Sequence, residues 1–512
     1  MSDHSVSNKR IAKNSIFLSV RMVIVMCISL YTSRVILQTL GVEDYGVYNV
    51  VGGFVSMFAF LNTSMSNGIQ RFYNYELGKN GEDAACMVYR TSLFIQFALG
   101  IVIVLLTETV GLWYLHNIMV IPGERMFAAE WIFQISIISF LIIILQVPYT
   151  AAVMAHEKMD FYAIVSVLDA VLKLLLVLLL PHIGYDRLII FGIITLLLHL
   201  VDFLLYYFYC KLKFKEITLK RGTARINRSL FGLMLGFSGW NVFGSFSNIM
   251  RDQGINLIIN LFYGPIVNAA RGVAMQVNGA VTNLVSSILT PVRPQVIQSY
   301  ARNEMDRSMN LTYSISKFSI FFLMLLALPI CVEVYPILHI WLGVVPDHSP
   351  AFCIIILATS AILVPTGALA TLVHASGDMM KYQVIGGTVK LLAVPLAFIM
   401  LKLGYAPEWA LIMVLVFDVV GLVVGMFIIK TIMPFSISIY LKRVVIPIIP
   451  VFLISLTIEL LLKSFIANQV LSVFMVLIIG TVVSISTFYV IGVSKDEKKL
   501  LNSMIRSVLN KE

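Results

Sequence analysis

The sequence predicts an all-α polytopic membrane protein with about fourteen transmembrane helices. Two parallel six-helix repeats account for the first twelve, and two additional helices follow them. Three observations carry this expectation. Apolar stretches of spanning length recur along the chain, basic residues fall in alternate connections, and residue matches recur at a near-constant displacement.

Of the 512 residues, 59% are hydrophobic and 12% charged, and the mean hydropathy is +0.91. Soluble domains carry about 25% charged residues, so a soluble fold is excluded. Ser2–Lys13 is polar and weakly basic, and the first apolar run, Ile16 to Thr39, is too long for a signal-peptide core. Cys27, Cys86, Cys210, Cys331 and Cys353 show no CxxC spacing and read as small unpaired apolar residues.

A span needs about 20 apolar residues. In order, the candidates are 14–40, 45–69, 91–115, 126–150, 161–181, 187–210, 229–262, 267–292, 310–336, 351–373, 383–403, 409–430, 444–463 and 471–493. The seventh and eighth are rich in Gly, Asn and Ser. Of the 37 Lys and Arg residues, 26 fall in the N-terminus, the even-numbered connections and the tail. The odd-numbered connections hold only Arg125, Arg187, Lys402 and Lys463. Positive residues concentrate on the cytoplasmic side, which places both termini there. The same asymmetry makes 211–228, where seven of eighteen residues are basic, a cytoplasmic linker. The net charge of +10 is therefore a topology signal, reinforced by anionic head groups, and not a nucleic-acid footprint. No outer connection exceeds about 15 residues, which argues against an enzyme whose site is shaped by a large external loop.

The expected organisation is a six-helix lobe over 14–210, a second over 229–430, two helices over 431–493 and a cytoplasmic tail over 494–512. The lobes match in sequence order. Lys173 corresponds to Lys390, Pro148 to Pro365, His156 to His374, Tyr162 to Tyr382 and Gly184 to Gly404, at displacements of 217 to 220 residues. Gly41 and Arg71 answer to Gly264 and Arg293 at 223 and 222. Six spans per copy is an even number, so the copies share orientation. Parallel repeats of this kind enclose a path for substrate and alternate its access.

Seven cations lie inside spans: Arg21, Arg34, Lys173, Arg251, Arg271, Lys317 and Lys390. A charge at mid-bilayer costs at least about 2.5–3.5 kcal/mol, so such residues face a cavity or a partner. Lys317 is about two turns from the inner boundary and is expected to snorkel. Arg271 heads a polar stripe with Asn278 and Thr282 on one helix face, extended by Asn268. Two readings are open, interhelical hydrogen bonding or a cavity wall in which Arg271 contacts an anion. A looser stripe including Asn49 and Asn62 marks the second span. Arg251 and Asp252 are adjacent and point about 100° apart, so Arg251 is expected to face a cavity while Asp252 pairs elsewhere.

Lys173 and Asp202 lie at depths about one turn apart on neighbouring spans, and Lys390 and Asp418 repeat the arrangement. Asp169 is four residues from Lys173. These residues read as buried ion pairs, as carriers of a coupling H⁺ or Na⁺, or as both. Glu108, Glu333 and Glu459 are close enough to the outer boundary to be solvated. His156 and His374 sit in short connections and form no metal pair. There is no Walker A run, metal cluster or nucleophile motif, so no cofactor, metal or catalytic residue is assigned and the chain is not expected to be an enzyme or an ATP-driven pump.

The run Thr32-Ser33-Arg34 followed by Leu40-Gly41-Val42-Glu43-Asp44-Tyr45-Gly46 resembles the signature of bacterial polysaccharide flippases, as does Ile340-Trp341-Leu342-Gly343. These belong to the multidrug/oligosaccharidyl-lipid/polysaccharide (MOP) superfamily, and the resemblance extends over nearly the whole chain. It implies a V-shaped transporter of the inner membrane. The expected cargo is undecaprenyl-diphosphate-linked oligosaccharide for O-antigen or capsule, with H⁺ or Na⁺ coupling. It also implies membrane lipids and glycan polymerase or glycosyltransferase machinery as partners. In such a cavity Arg34, Arg251 and Arg271 would meet the diphosphate. Asn62, Asn268, Asn278 and Tyr48 would bond sugar hydroxyls. A flippase for a lipid II-type peptidoglycan precursor shares this layout and stands as an alternative. So does a multidrug antiporter of the superfamily, against which the interior arginines count.

Overall fold

In a computed structural model of the chain the described residues are 2–156, 158–218, 228–289, 293–376, 379–494 and 497–498. The side chains of 2–20, 61–64, 67–68, 71, 74, 78–80, 218, 228–242, 287–289, 293–295 and 301 are outside the description. The side chains of Asn62, Arg71 and Arg293, half of the 211–228 linker, and the tail beyond 498 therefore lie outside the described residues. Every regular element among those described is helical.

The helices divide between two compact units, Met1–Gly272 with Ala397–Pro407 and Val273–Leu396 with Glu408–Glu512. The first unit contains α1 (Ser2–Ser56), α2 (Ala59–Leu106), α3 (Leu112–Asn117), α4 (Met126–Ala155), α5 (Met159–Leu179), α6 (Arg187–Lys213) and the short α7 (Lys215–Thr218). It also holds most of α8 (Arg228–Leu289). Helices α9 (Arg293–Ala301), α10 (Met305–Val332), α11 (Val334–Leu342), α12 (Ser349–Ser376) and α13 (Met380–Leu391) belong to the second unit. After α14 (Ala393–Lys402) come α15 (Glu408–Ile432), α16 (Ile437–Tyr440), α17 (Ile446–Phe465) and α18 (Gln469–Thr487).

Twelve helical segments among the described residues are long and apolar enough to cross a membrane. The chain is a multi-pass membrane protein. Fourteen stretches were expected, and the difference lies where runs expected to be separate are continuous in helix. Arg21–Ser56 counts once, and so does Phe243–Ser286 at 44 residues. Both contain a glycine corner. Gly41 has φ 80 and ψ 171, and Gly264 has φ 73 and ψ −175. That region of backbone space belongs essentially to glycine. These two glycines are 223 residues apart and share one conformation.

Gly264 reverses the chain. Asn268 Nδ2 donates to Asn256 O at 2.7 Å, although the two are 12 residues apart in α8. On a straight helix they would stand about 18 Å apart. The two arms of α8 therefore run back along one another.

Each unit has its own core. In the first, tyrosines from the middle of α2 and the C-terminal parts of α4 and α6 crowd together, with Tyr73, Tyr89, Tyr149 and Tyr206 all buried. Tyr89 and Tyr149 meet edge-on with centroids 5.6 Å apart, the geometry aromatic quadrupoles favour. In the second, Tyr313, Leu372, Ile429 and Tyr440 pack together. Phe321 stacks on Phe488 at 3.7 Å, joining α10 to the end of α18. Large apolar side chains such as Phe97, Leu105, Leu179, Phe474 and Ile478 remain exposed. In lipid such a surface needs no cover.

Candidate functional site

The folding back of α8 creates a charged interior in the first unit. Arg251 on the first arm is 4% exposed and Arg271 on the second is 7% exposed. The Arg251 guanidinium reaches the Asp252 carboxylate, with Nε–Oδ1 3.0 Å and Nη2–Oδ1 2.9 Å. The expected separation of these neighbours is thereby corrected. Their Cβ atoms diverge, but the long arginine stem curls back far enough to close the gap. Arg271 Nη2 donates to the backbone carbonyl of Asp252 at 2.8 Å, while its Nε has no hydrogen-bond partner among the described residues. Arg251 thus takes the Asp252 carboxylate and Arg271 the Asp252 backbone carbonyl, and Arg271 keeps an unused donor among the described residues.

Asparagines hold this corner in place. Asn268 is fully buried and donates to both O and Oδ1 of Asn256, at 2.7 and 2.9 Å. Asn256 Nδ2 donates to Asn49 O on α1 at 3.2 Å. Asn260 bonds both N and O of Val120, at 2.9 and 3.0 Å, as a neighbouring strand would. Asn268 thus bonds between the two arms of α8. The close approach rests on small residues, since a Cβ on Gly272 would stand 3.0 Å from Asn49.

The other expected residues are distributed more widely. Arg34 is half-buried on α1 beside buried Thr32 and Ser33. Tyr48 packs edge-on against Phe191 of α6, centroids 4.8 Å apart. Asn278 Oδ1 accepts from Ser360 Oγ of α12 at 2.6 Å in the second unit. Asp169, Lys173 and Asp202 are half-buried on α5 and α6, and no ion pair within 4 Å joins Lys173 to either acid among the described residues. Asp169 is in electrostatic reach of both Asp202 and His199, and Lys173 of His199. His199 was not singled out from sequence, although it lies three residues from Asp202. Asp418 is buried on α15, and the Lys390 stem lies 3.9 Å from where a Cβ on Gly421 would stand, one turn beyond it.

Two further expectations are corrected. Lys317 does not snorkel to solvent; it is 4% exposed and donates to Gly492 O and to Glu497. The last turn after α18 comes close enough to serve as its partner. Glu333 and Glu459 are not solvated, at 1% and 0% exposure, because α18 covers them.

Polar pairs at the ends of the first unit carried no sequence signal. Arg125 grips Asp44 through Nε and Nη2, both at 2.7 Å, and Asp186 through Nη1 and Nη2 at 2.6 and 3.1 Å. Asp186 also caps α6 by accepting from Leu188 N and Ile189 N. At the opposite end, buried Glu216 accepts from Tyr73 Oη at 2.7 Å and His156 Nε2 at 2.6 Å. The His156 ring stacks on Phe214.

Burial pushes the Glu216 carboxyl up, but the hydrogen bonds from His156 and Tyr73 outweigh it and hold it below the usual value. A carboxyl lowered by folding stabilises fully above its unfolded value, about 4.3 for glutamate. That contribution is lost as pH falls through the lower folded value. Glu216→Gln should therefore cost about 1.5–3 kcal/mol at neutral pH and flatten the acid-side decline of the melting temperature. Thermal unfolding across pH in detergent checks this.

Fold and site together define a polytopic helical membrane protein. No family model and no curated protein matches the sequence, but solved structures do. A structure described as lipid II flippase MurJ, in an inward closed conformation, is similar at 16% identity and TM-score 0.67, over 93% of this chain and 99% of that one. An inward-facing multidrug resistance MATE family transporter of the MOP superfamily gives 14%, TM-score 0.62, and 81% and 97% coverage. A MOP superfamily transporter from Pyrococcus furiosus, described as having a binding pocket of reversed polarity, gives 16%, TM-score 0.60, and 82% and 95%. The chain has the fold of MOP-superfamily transporters.

Proposed function

We propose that the protein flips undecaprenyl-diphosphate-linked oligosaccharide repeat units from the inner to the outer leaflet of the bacterial inner membrane, for O-antigen or capsule synthesis. On this reading both termini are cytoplasmic and transport proceeds by alternating access coupled to H⁺ or Na⁺. On the same reading each arm of α1 and α8 is a separate pass, for fourteen in all, six in each repeat and two beyond.

The observation that carries the reading is the Arg251–Asp252–Arg271 cluster, where Arg251 takes the Asp252 carboxylate and buried Arg271 is held only through the Asp252 backbone carbonyl, its Nε without a partner among the described residues. A buried guanidinium with an unused donor in the membrane interior is stabilised when an anion joins it. A diphosphate supplies that charge, and arginine binds phosphate through its planar fork. An organic cation would meet repulsion there, which counts against multidrug export. In the second unit an apolar cavity of about 630 Å³ is lined by residues such as Met324, Leu328, Pro365, Met426, Ile448 and Phe452. Its walls suit the hydrocarbon tail of a lipid-linked cargo. The likeness to a structure described as a lipid II flippase supports the same class of cargo.

Cells lacking the protein should accumulate lipid-linked repeat units on the inner leaflet and lose surface polysaccharide, with drug tolerance unchanged. Arrival of the units at the outer face together with reduced dye efflux would favour a multidrug antiporter. Arrested division and lysis would instead point to the peptidoglycan precursor.

A further inference from the structure

Helices α17 and α18 are antiparallel and meet along a seam of small and polar residues. Ser484 Oγ donates to Ser455 Oγ at 2.9 Å, with both residues buried. One turn further along α17, and one turn back along α18, Glu459 lies against Gly480. A Cβ on Gly480 would stand 2.6 Å from Glu459 Oε1, so the missing side chain is what seats the carboxyl. Glu459 is 0% exposed. Neither of its oxygens has a hydrogen-bond partner among the described residues.

The ionisable surroundings are few. Helix α18 carries no charged residue. On α17 the nearest cation is Lys463, one turn away, whose Nζ donates to Val332 O at 2.5 Å and lies 4.0 Å from Glu333 Oε2. Glu333 itself accepts from Ser472 Oγ. On α10 the Cys331 thiol is within electrostatic reach of Glu459. The lysine and the serine therefore both serve Glu333, and nothing among the described residues donates to Glu459. An ionised carboxylate is acceptor-only, and burying one unpaired in low dielectric is far more costly than burying the neutral acid.

We propose that Glu459 is an intramembrane proton-binding site, which holds its proton while the α17–α18 seam is closed and exchanges it when the seam opens. Its ligand is the proton itself, and the site is distinct from the acids on α5, α6 and α15. Proton binding here does not depend on which cargo is carried, so its test is separate from that of transport.

The experiment is infrared difference spectroscopy on the full chain in phosphatidylethanolamine/phosphatidylglycerol nanodiscs, recorded from mildly acidic to alkaline buffer. A protonated-carboxyl C=O stretch, sensitive to deuterium exchange, should be present at neutral pH and absent in Glu459→Gln. If that variant fails to fold, Lys463→Met and Gly480→Ala provide the test. The first should leave the band intact, and the second should shift it by crowding the carboxyl. Identical carboxyl bands in wild type and Glu459→Gln would overturn the proposal. A protonated band that emerges only in Lys463→Met would also overturn it, by showing that Glu459 is normally ionised against that lysine.

Discussion

Alanine at Arg271 should cut delivery of lipid-linked cargo to the outer leaflet by about 10- to 150-fold while leaving membrane insertion intact. The magnitude follows from losing charge-assisted hydrogen bonds worth about 1.5–3 kcal/mol. Arg271 is the residue to remove because, among the described residues, its Nε has no partner and its Nη2 uses only a backbone carbonyl. Arg251, by contrast, is already engaged by the Asp252 carboxylate. Lysine at 271 keeps the charge and loses the fork, so Arg271→Lys should recover part of the transport and sit between the two. The readout is initial transport rate, normalised to folded protein in the membrane. Full activity of Arg271→Ala would remove the cluster from the cargo path.

Gly46→Ala should have the largest effect on stability. The added Cβ would stand 1.9 Å from Pro265 O and 2.5 Å from Pro265 C. Both atoms are backbone, so no rotamer change relieves the clash. Helix α1 would have to part from the second arm of α8 just beyond the Gly264 corner, straining the Asn256–Asn49 bond as it moves. Overpacking of this kind costs about 1–3 kcal/mol and occasionally more, and the upper end is expected here. Gly52→Ala is the control. Nothing lies within 4 Å of its added Cβ, and replacing a mid-helix glycine by alanine stabilises by about 0.5–1 kcal/mol. Melting temperatures should therefore move in opposite directions; a matching response would mean that the Gly46–Pro265 approach is not tight.

How much of this was legible in the sequence depends on how far a signal must reach. Stretches of spanning length report a property of a single segment, so the apolar helices were readable. Gly41 and Gly264 were matched across the repeat, and both take the same glycine-only conformation. That these corners lie within continuous helix was not readable, because apolar content does not distinguish a break from a sharp turn. The pairing of Arg251 with Asp252 was missed for a different reason. Helical periodicity fixes where a Cβ points but not where a long flexible stem ends. Burial of Glu459 and the partner of Glu216 depend on which distant element lies over them, and one helix's pattern says nothing about its neighbour. Lys317 shows the same limit, since its acceptors lie 175 and 180 residues further along the chain.

The most direct test of the central claim is a flipping assay with the purified chain in phosphatidylethanolamine/phosphatidylglycerol vesicles carrying a polyprenyl-diphosphate oligosaccharide. Accessibility of the sugar to an external glycan-cleaving enzyme reports its leaflet. The account predicts protein-dependent loss of the protected fraction, slowed about 10- to 150-fold by Arg271→Ala. A protected fraction that stays constant, while the same vesicles move a cationic dye, would contradict it.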